Sequence, residues 1–125
     1  MSRQGETRLG HLFHLMRTSV TPQFEISEPG VHAVVDFRID DEMVVVEFDG
    51  LVKYWRSADE PDPFGNRRTP NQVVVDEKRR EDAIRELGFE VVRVVWSDLD
   101  DPLTLARRIA AAIKRARRRH GRSAA

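Results

Sequence analysis

The chain has 125 residues, no cysteine and a formal net charge of zero, although charged residues make up 34% of it. That length suits one domain with a modest core. The absence of cysteine excludes a disulfide framework and a thiolate zinc site, and fits a reducing interior. No stretch approaches the roughly 20 apolar residues of a membrane span, and no signal-peptide pattern opens the chain. A soluble, cytoplasmic protein is expected.

Glu6–Arg17 reads as a first helix, with Leu9, Leu12, Phe13 and Met16 as its apolar stripe. Glu6 lies three residues before Leu9, so it continues that stripe and is expected to face the sheet. Thr21-Pro22 ends the helical region, Gln23–Ile26 reads as a short strand, and Glu28-Pro29-Gly30 is a turn. Two alternating, β-branched runs follow, Val31–Ile39 and Met43–Phe48, joined by the acidic turn Asp40–Glu42.

This hairpin carries acids where apolar residues would pack better. A symmetric turn about Asp41 and Glu42 sets Asp36 opposite Glu47, and the period of two puts Asp49 on the face of Glu47. Like charges opposite one another on a sheet repel at about 5 Å between Cβ atoms. Three carboxylates so placed call for a cation, and hard oxygen donors on a half-open face suit Mg²⁺.

Ser57–Thr69 is a Pro-, Gly- and Asp-rich loop of functional length. Thr69 as N-cap and Pro70 at the first helical position start a second helix running to Leu87, with Gly88 as its stop. The Val73–Val75 triplet is also compatible with a separate strand. The inward side of this helix reads Glu77, Arg80, Ile84 and Leu87, and Phe89–Trp96 reads as a strand covered on both faces, interrupted by Arg93. Asp101 and Pro102 start a third helix with an expected buried stripe of Leu103, Ala106, Ile109, Ala110 and Ile113. Its end and the tail, about 114–125, are strongly basic. The order α-β-β-β-α-β-α describes a single α/β domain, a small mixed sheet flanked by helices.

Taken singly, Asp36 or Glu47 reads as a surface charge on an amphipathic hairpin. Three acids on one face, joined by an inward Glu6, read as a site. Lys53, in Gly50-Leu-Val-Lys-Tyr-Trp, follows closely enough to fold back over the acids, where an ammonium can orient water or meet charge on a phosphate. Its plain alternative is an exposed lysine. Tyr54 and Trp55 suit base stacking or core packing. Arg80 and Arg93 read either as phosphate contacts or as arginines paired with Glu77 or another acid. The four histidines form no ligand pattern and read as surface. The one-signed charge of Arg107, Arg108, Lys114, Arg115, Arg117, Arg118, Arg119 and Arg122 favours an anionic partner, nucleic acid first.

A helix glutamate, a strand aspartate and then Glu-x-acid before a helix and strand resembles the restriction-endonuclease-like PD-(D/E)XK nuclease superfamily. Glu47-Phe-Asp-Gly-Leu-Val-Lys-Tyr54 with Glu77–Leu99 is similar, within it, to the very-short-patch-repair endonuclease-like domain of unknown function. The resemblance runs from Gly5 through Leu99. It implies a restriction-endonuclease-like fold, Asp36 and Glu47 as metal ligands, Glu6 as the helix glutamate and Gln23 as the glutamine entering the first strand. Two departures stand out. Val35-Asp36 replaces the usual Pro-Asp, and Asp49 stands where the superfamily has its third-motif lysine, while Lys53 falls where the closer family usually has histidine.

These readings lead to an expected Mg²⁺-dependent DNA endonuclease or nickase, with Mn²⁺ as a substitute ion. Asp36 and Glu47 would hold the metal, Glu6 and Asp49 would support it, and Lys53 would take the missing lysine's role. Gln23, Arg80 and Arg93 would contact substrate, and the third helix and the 56–68 loop would track the DNA backbone. The alternative is a non-catalytic nucleic-acid-binding or regulatory, antitoxin-type module on the same fold, and a third reading is a small dimeric structural protein. A domain this small is expected to use a homodimer or a partner protein to surround a duplex.

Overall fold

The computed structural model describes residues 3–50 and 70–121. Lys53, Tyr54, Trp55, the Ser57–Thr69 loop with the Thr69 cap, and Arg122 lie outside these. Four strands form one sheet in the order β1-β2-β3-β4: β1 (Val20–Glu28), β2 (Val31–Ile39), β3 (Val44–Phe48) and β4 (Glu90–Val94). The first three pair antiparallel, and β3 and β4 pair parallel. A parallel pair needs a crossover, and helix α2 (Pro70–Glu86) lies on that connection. Helix α1 (Arg3–Leu15) opens the fold, and the one-turn α3 (Trp96–Leu99) leads into α4 (Pro102–Arg119). The expected mixed sheet with flanking helices is therefore what the chain builds. Among the described residues no helix is long and apolar enough to cross a membrane.

The sheet separates two cores. On one face, Leu9 and Phe13 of α1 and Leu105, Ile109, Ala112 and Ala116 of α4 cover Phe37, Val44, Val46, Phe48, Val92 and Val94. On the other, Ile84 of α2 packs with Ile26, Ala33, Val35, Val45, Phe89 and Val91. Both short strands, β3 and β4, are thus largely apolar on both sides, and Val44, Val45 and Val46 are fully buried. Only Glu47 in β3 and Arg93 in β4 are less than buried.

The β2–β3 register, Phe37 with Val46 and Arg38 with Val45, is the one a symmetric turn at Asp41 and Glu42 imposes. Asp41 takes φ 65 there, a left-handed conformation that aspartate tolerates better than most residues. Beyond Phe37 the pattern changes. Phe37 and Ile39 belong to the first core, whereas Val35 and Ala33, at the same phase of two, belong to the second. The switch falls at Asp36. Its neighbour across on β1, between the pairs Pro22–Phe37 and Phe24–Val35, is Gln23, at φ 50.

Several boundaries differ from the sequence reading. Helix α1 ends at Leu15 because Arg17 adopts φ 54 and the N–H groups of Arg17 and Thr18 bond the carbonyls of His14 and Phe13, a Schellman stop without its usual glycine. Thr21 and Pro22 do not end a helical region; they lie inside β1, an edge strand where a missing donor is tolerated. Val73–Val75 is helical, and Gly88 closes α2 at φ 103 as expected. Trp96 leaves the strand because the Asp98 carboxylate accepts the Val95 N–H at 2.8 Å and turns the chain into α3. The buried stripe of α4 is Leu105, Ile109, Ala112 and Ala116, while Leu103 is 62% exposed. The Asp101 cap forms as read, accepting the Thr104 N–H at 3.3 Å.

Candidate functional site

Strand β3 delivers its acids where it runs beside β4. Glu47 pairs with Arg93 across the parallel ladder, and the Asp49 N–H continues the ladder to the Val94 carbonyl at 2.7 Å. Both side chains point to the face covered by α2, the face of Val45. A polar recess of about 140 Å³ opens there, lined by Val34, Asp36, Glu47, Phe48, Asp49, Glu77, Arg80 and Arg93. The hairpin thus brings Asp36, Glu47 and Asp49 together as its alternation requires, and α2 and β4 add Arg80 and Arg93.

Each acid has a defined partner. Asp36 Oδ2 accepts the backbone N–H of Phe48 at 2.7 Å, so the carboxylate is aimed by the neighbouring strand. Glu47 is gripped through both oxygens by Arg80, at 2.6 and 3.2 Å, and Arg80 Nη2 also donates to the Val34 carbonyl at 2.8 Å. Asp49 Oδ2 accepts from Arg93 Nη1 at 3.3 Å. Arg93 is a hub: its Nε donates to Glu81 at 2.6 Å and its Nη2 to Glu77 at 3.3 Å. Arg85 in turn donates to the second oxygen of Glu81 at 3.1 Å. Alternating charges therefore run from β3 through β4 to α2, and the paired reading of the two arginines is the one this conformation adopts.

The protonation equilibria follow from this network. Burial works against the Arg80 charge, yet the hydrogen bond and charge of Glu47 outweigh it and hold the guanidinium protonated above its ordinary range. Glu81 shows the mirror case. Burial resists its ionisation, and the hydrogen bonds from Arg93 and Arg85 overcome that and lower its pKa.

The remaining expected residues sit apart. Glu6 is part-buried on α1 and does not line the recess; α1 packs on the opposite core through Leu9 and Phe13. Its neighbour Gly5 does reach the site indirectly, because it lies against the Phe48 ring. Gln23 is exposed on β1, across from Asp36. Lys53 lies outside the described residues. All four histidines are exposed, as read.

Glu81 is the residue sequence reasoning passed over. Its signal is the four-residue spacing from Glu77, which places both acids on one side of α2, facing the arginine that interrupts β4. The Phe48 N–H carries no sequence signal, since any residue would supply it.

The basic helix end is less one-sided than its sequence. Arg115 and Arg119 hold the buried Glu90 at 2.8 and 2.5 Å, Arg117 holds Glu42 at 2.6 Å, and Arg108 holds Asp98 at 3.2 Å and the Arg93 carbonyl at 2.7 Å. These cations are matched by acids that the sequence places far away.

As a donor set, three carboxylates from adjacent strands lining a polar recess fit a hard divalent cation in kind. Among the described residues no three acid or imidazole side chains gather as ion ligands in this conformation; Glu47 and Asp49 turn to guanidinium groups instead. Comparison of the chain with protein-family models, curated proteins and solved structures returned no match.

Proposed function

We propose that the chain is a Mg²⁺-dependent DNA endonuclease or nickase, with Mn²⁺ able to replace Mg²⁺. The observation that carries this reading is the meeting of Asp36, Glu47 and Asp49 in one polar recess, with two arginines beside them. Asp36 and Glu47 would hold the ion, and Asp49 would support it. A bound divalent ion supplies acidification of water and neutralisation of charge gathering on a scissile phosphate. The chain's own groups do the rest. The Phe48 N–H keeps Asp36 aimed, Arg93 steadies Asp49, and Arg80, Arg93 and Gln23 would contact the nucleic-acid substrate. Glu6 would support the site from α1, and Lys53, outside the described residues, would take the role of the missing lysine.

One observation favours the second reading, a non-catalytic nucleic-acid-binding or regulatory module: Glu47 and Asp49 already have cationic partners from the chain itself. Cleavage of supercoiled plasmid with Mg²⁺ or Mn²⁺ separates the two. Wild type is expected to nick or linearise the plasmid, and Asp36→Ala and Glu47→Ala to lose at least about a hundredfold in rate, as removal of a charge-stabilising group does. Salt-sensitive DNA retention without cutting by any of the three proteins selects the binding module. Equal cutting by all three marks a contaminant and removes the site assignment.

A further inference from the structure

A carboxylate whose two oxygens are clasped by one guanidinium has given up half its lone-pair sites and most of its unbalanced charge, and is a poorer ligand for a metal ion. Glu47 is in that state: the Arg80 fork takes Oε1 at 2.6 Å and Oε2 at 3.2 Å. The third contact of Arg80, 2.8 Å to the Val34 carbonyl, ties the guanidinium to β2 two residues from Asp36. Glu47 is only 12% exposed and Arg80 28%, so water screens the pair weakly, and a charge-assisted bidentate pair is among the stronger polar contacts. The recess also needs this cation. Without it, Glu47 would stand beside Asp36 and Asp49 with, among the described residues, Arg93 as the remaining arginine in the lining, itself shared with Glu77 and Glu81.

The geometry points to Arg80 as a built-in counter-ion that occupies Glu47 in the ion-free protein and competes with the divalent cation for it, thereby setting the affinity of the site. This inference rests on the metal reading above and concerns Arg80 as a positioning residue acting through Glu47. A competitor attached to the chain is always present, so the ion must displace the fork or bind against its charge, and that work is subtracted from the ion's own binding. Removing the charge at position 80 should then tighten ion binding while weakening the ion-free fold, the opposite of what loss of a supporting ligand would do.

The test uses the full chain without DNA, titrated with Mn²⁺ by calorimetry, and melted in chelator and in Mn²⁺. Arg80→Met keeps the unbranched stem of the side chain and removes its charged end; it is expected to bind Mn²⁺ about tenfold or more tightly than wild type, within the usual size of a coupling between two ligands. It should melt lower than wild type in chelator and regain more on adding Mn²⁺. Arg80→Lys keeps the charge but loses the fork, and should bind Mn²⁺ with an affinity between the two. Should Arg80→Met fold only with Mn²⁺, that supports the inference; should it fold in neither condition, Arg80→Lys decides. Wild-type binding that Arg80→Met, or in that case Arg80→Lys, leaves unchanged or weaker overturns the counter-ion role and leaves the metal reading standing. Mn²⁺ binding by none of the proteins overturns the metal reading itself.

Discussion

Gly5 and Phe48 show how closely packing and chemistry are joined at the level of single residues. A Cβ on Gly5 would fall inside contact distance of the Phe48 ring, which also packs edge-on against Trp96 at 4.9 Å. The backbone of the same Phe48 holds Asp36. Gly5→Ala is therefore expected to cost about 1–3 kcal/mol through overpacking, measured by urea denaturation, and to lower Mn²⁺ affinity by displacing the Asp36 donor. Gly10→Ala is the control. Its Cβ would meet Phe37 at an ordinary 3.6 Å, so the gain in helix propensity of up to about 1 kcal/mol should appear intact. At this scale Asp36, Glu47 and Asp49 were legible because the symmetric turn and the alternation of β3 together put them on one face. Of the partners of Arg80 and Arg93, Glu77 was legible and is found on Arg93, whereas Glu47, Asp49 and Glu81 were not, since a sequence shows that a buried arginine needs an acid without showing every one. The left-handed turns of Arg17 and Gln23 were equally invisible, because neither residue type advertises that conformation.

Among the elements, α4 is the instructive misreading. Its Ala-rich run offers two apolar phases that share Ile109, one through Leu103 and Ile113 and the other through Leu105, Ala112 and Ala116. Periodicity ranks them equally, and docking on the sheet decides between them. Packing with Val44, Val46, Val92 and Val94 takes Leu105 to the core at 1% exposure and leaves Leu103 outward at 62%. Leu105→Ala should cost about 2–5 kcal/mol, whereas Leu103→Ala should stay within about 0.5 kcal/mol; chemical denaturation of the two variants checks the assignment directly. The hairpin was more legible than the helix because a strand has only two faces, and a turn of known symmetry leaves one register.

For the molecule as a whole, α4 is tied to the sheet by charge as well as by apolar contact. Glu90 begins β4 at 4% exposure and is clasped by Arg115 and Arg119 of α4. Burial opposes its ionisation, but the hydrogen bond from Arg115 and the charges of both arginines lower its pKa. The ionised form is thus favoured by folding. Its contribution is complete above the ordinary glutamate value of about 4.3 and is lost as pH falls through the lower folded value. Glu90→Gln should be less stable at pH 7 by about 1–3 kcal/mol, and thermal melts should show the gap closing in more acidic buffer. The parallel pairing of β3 with β4 has a consequence for the order of assembly. Arg80 and Arg93 reach Glu47 and Asp49 over separations of 33 and 44 residues, whereas β1, β2 and β3 are joined by short turns. Contacts so distant in sequence close late. A chain folded only as far as its hairpins carries its acids bare, repelling one another on an open face, and that repulsion is relieved when the second half arrives. The recess is therefore expected to be a signature of completed folding, its protection from hydrogen exchange appearing after that of the β1–β2 pair.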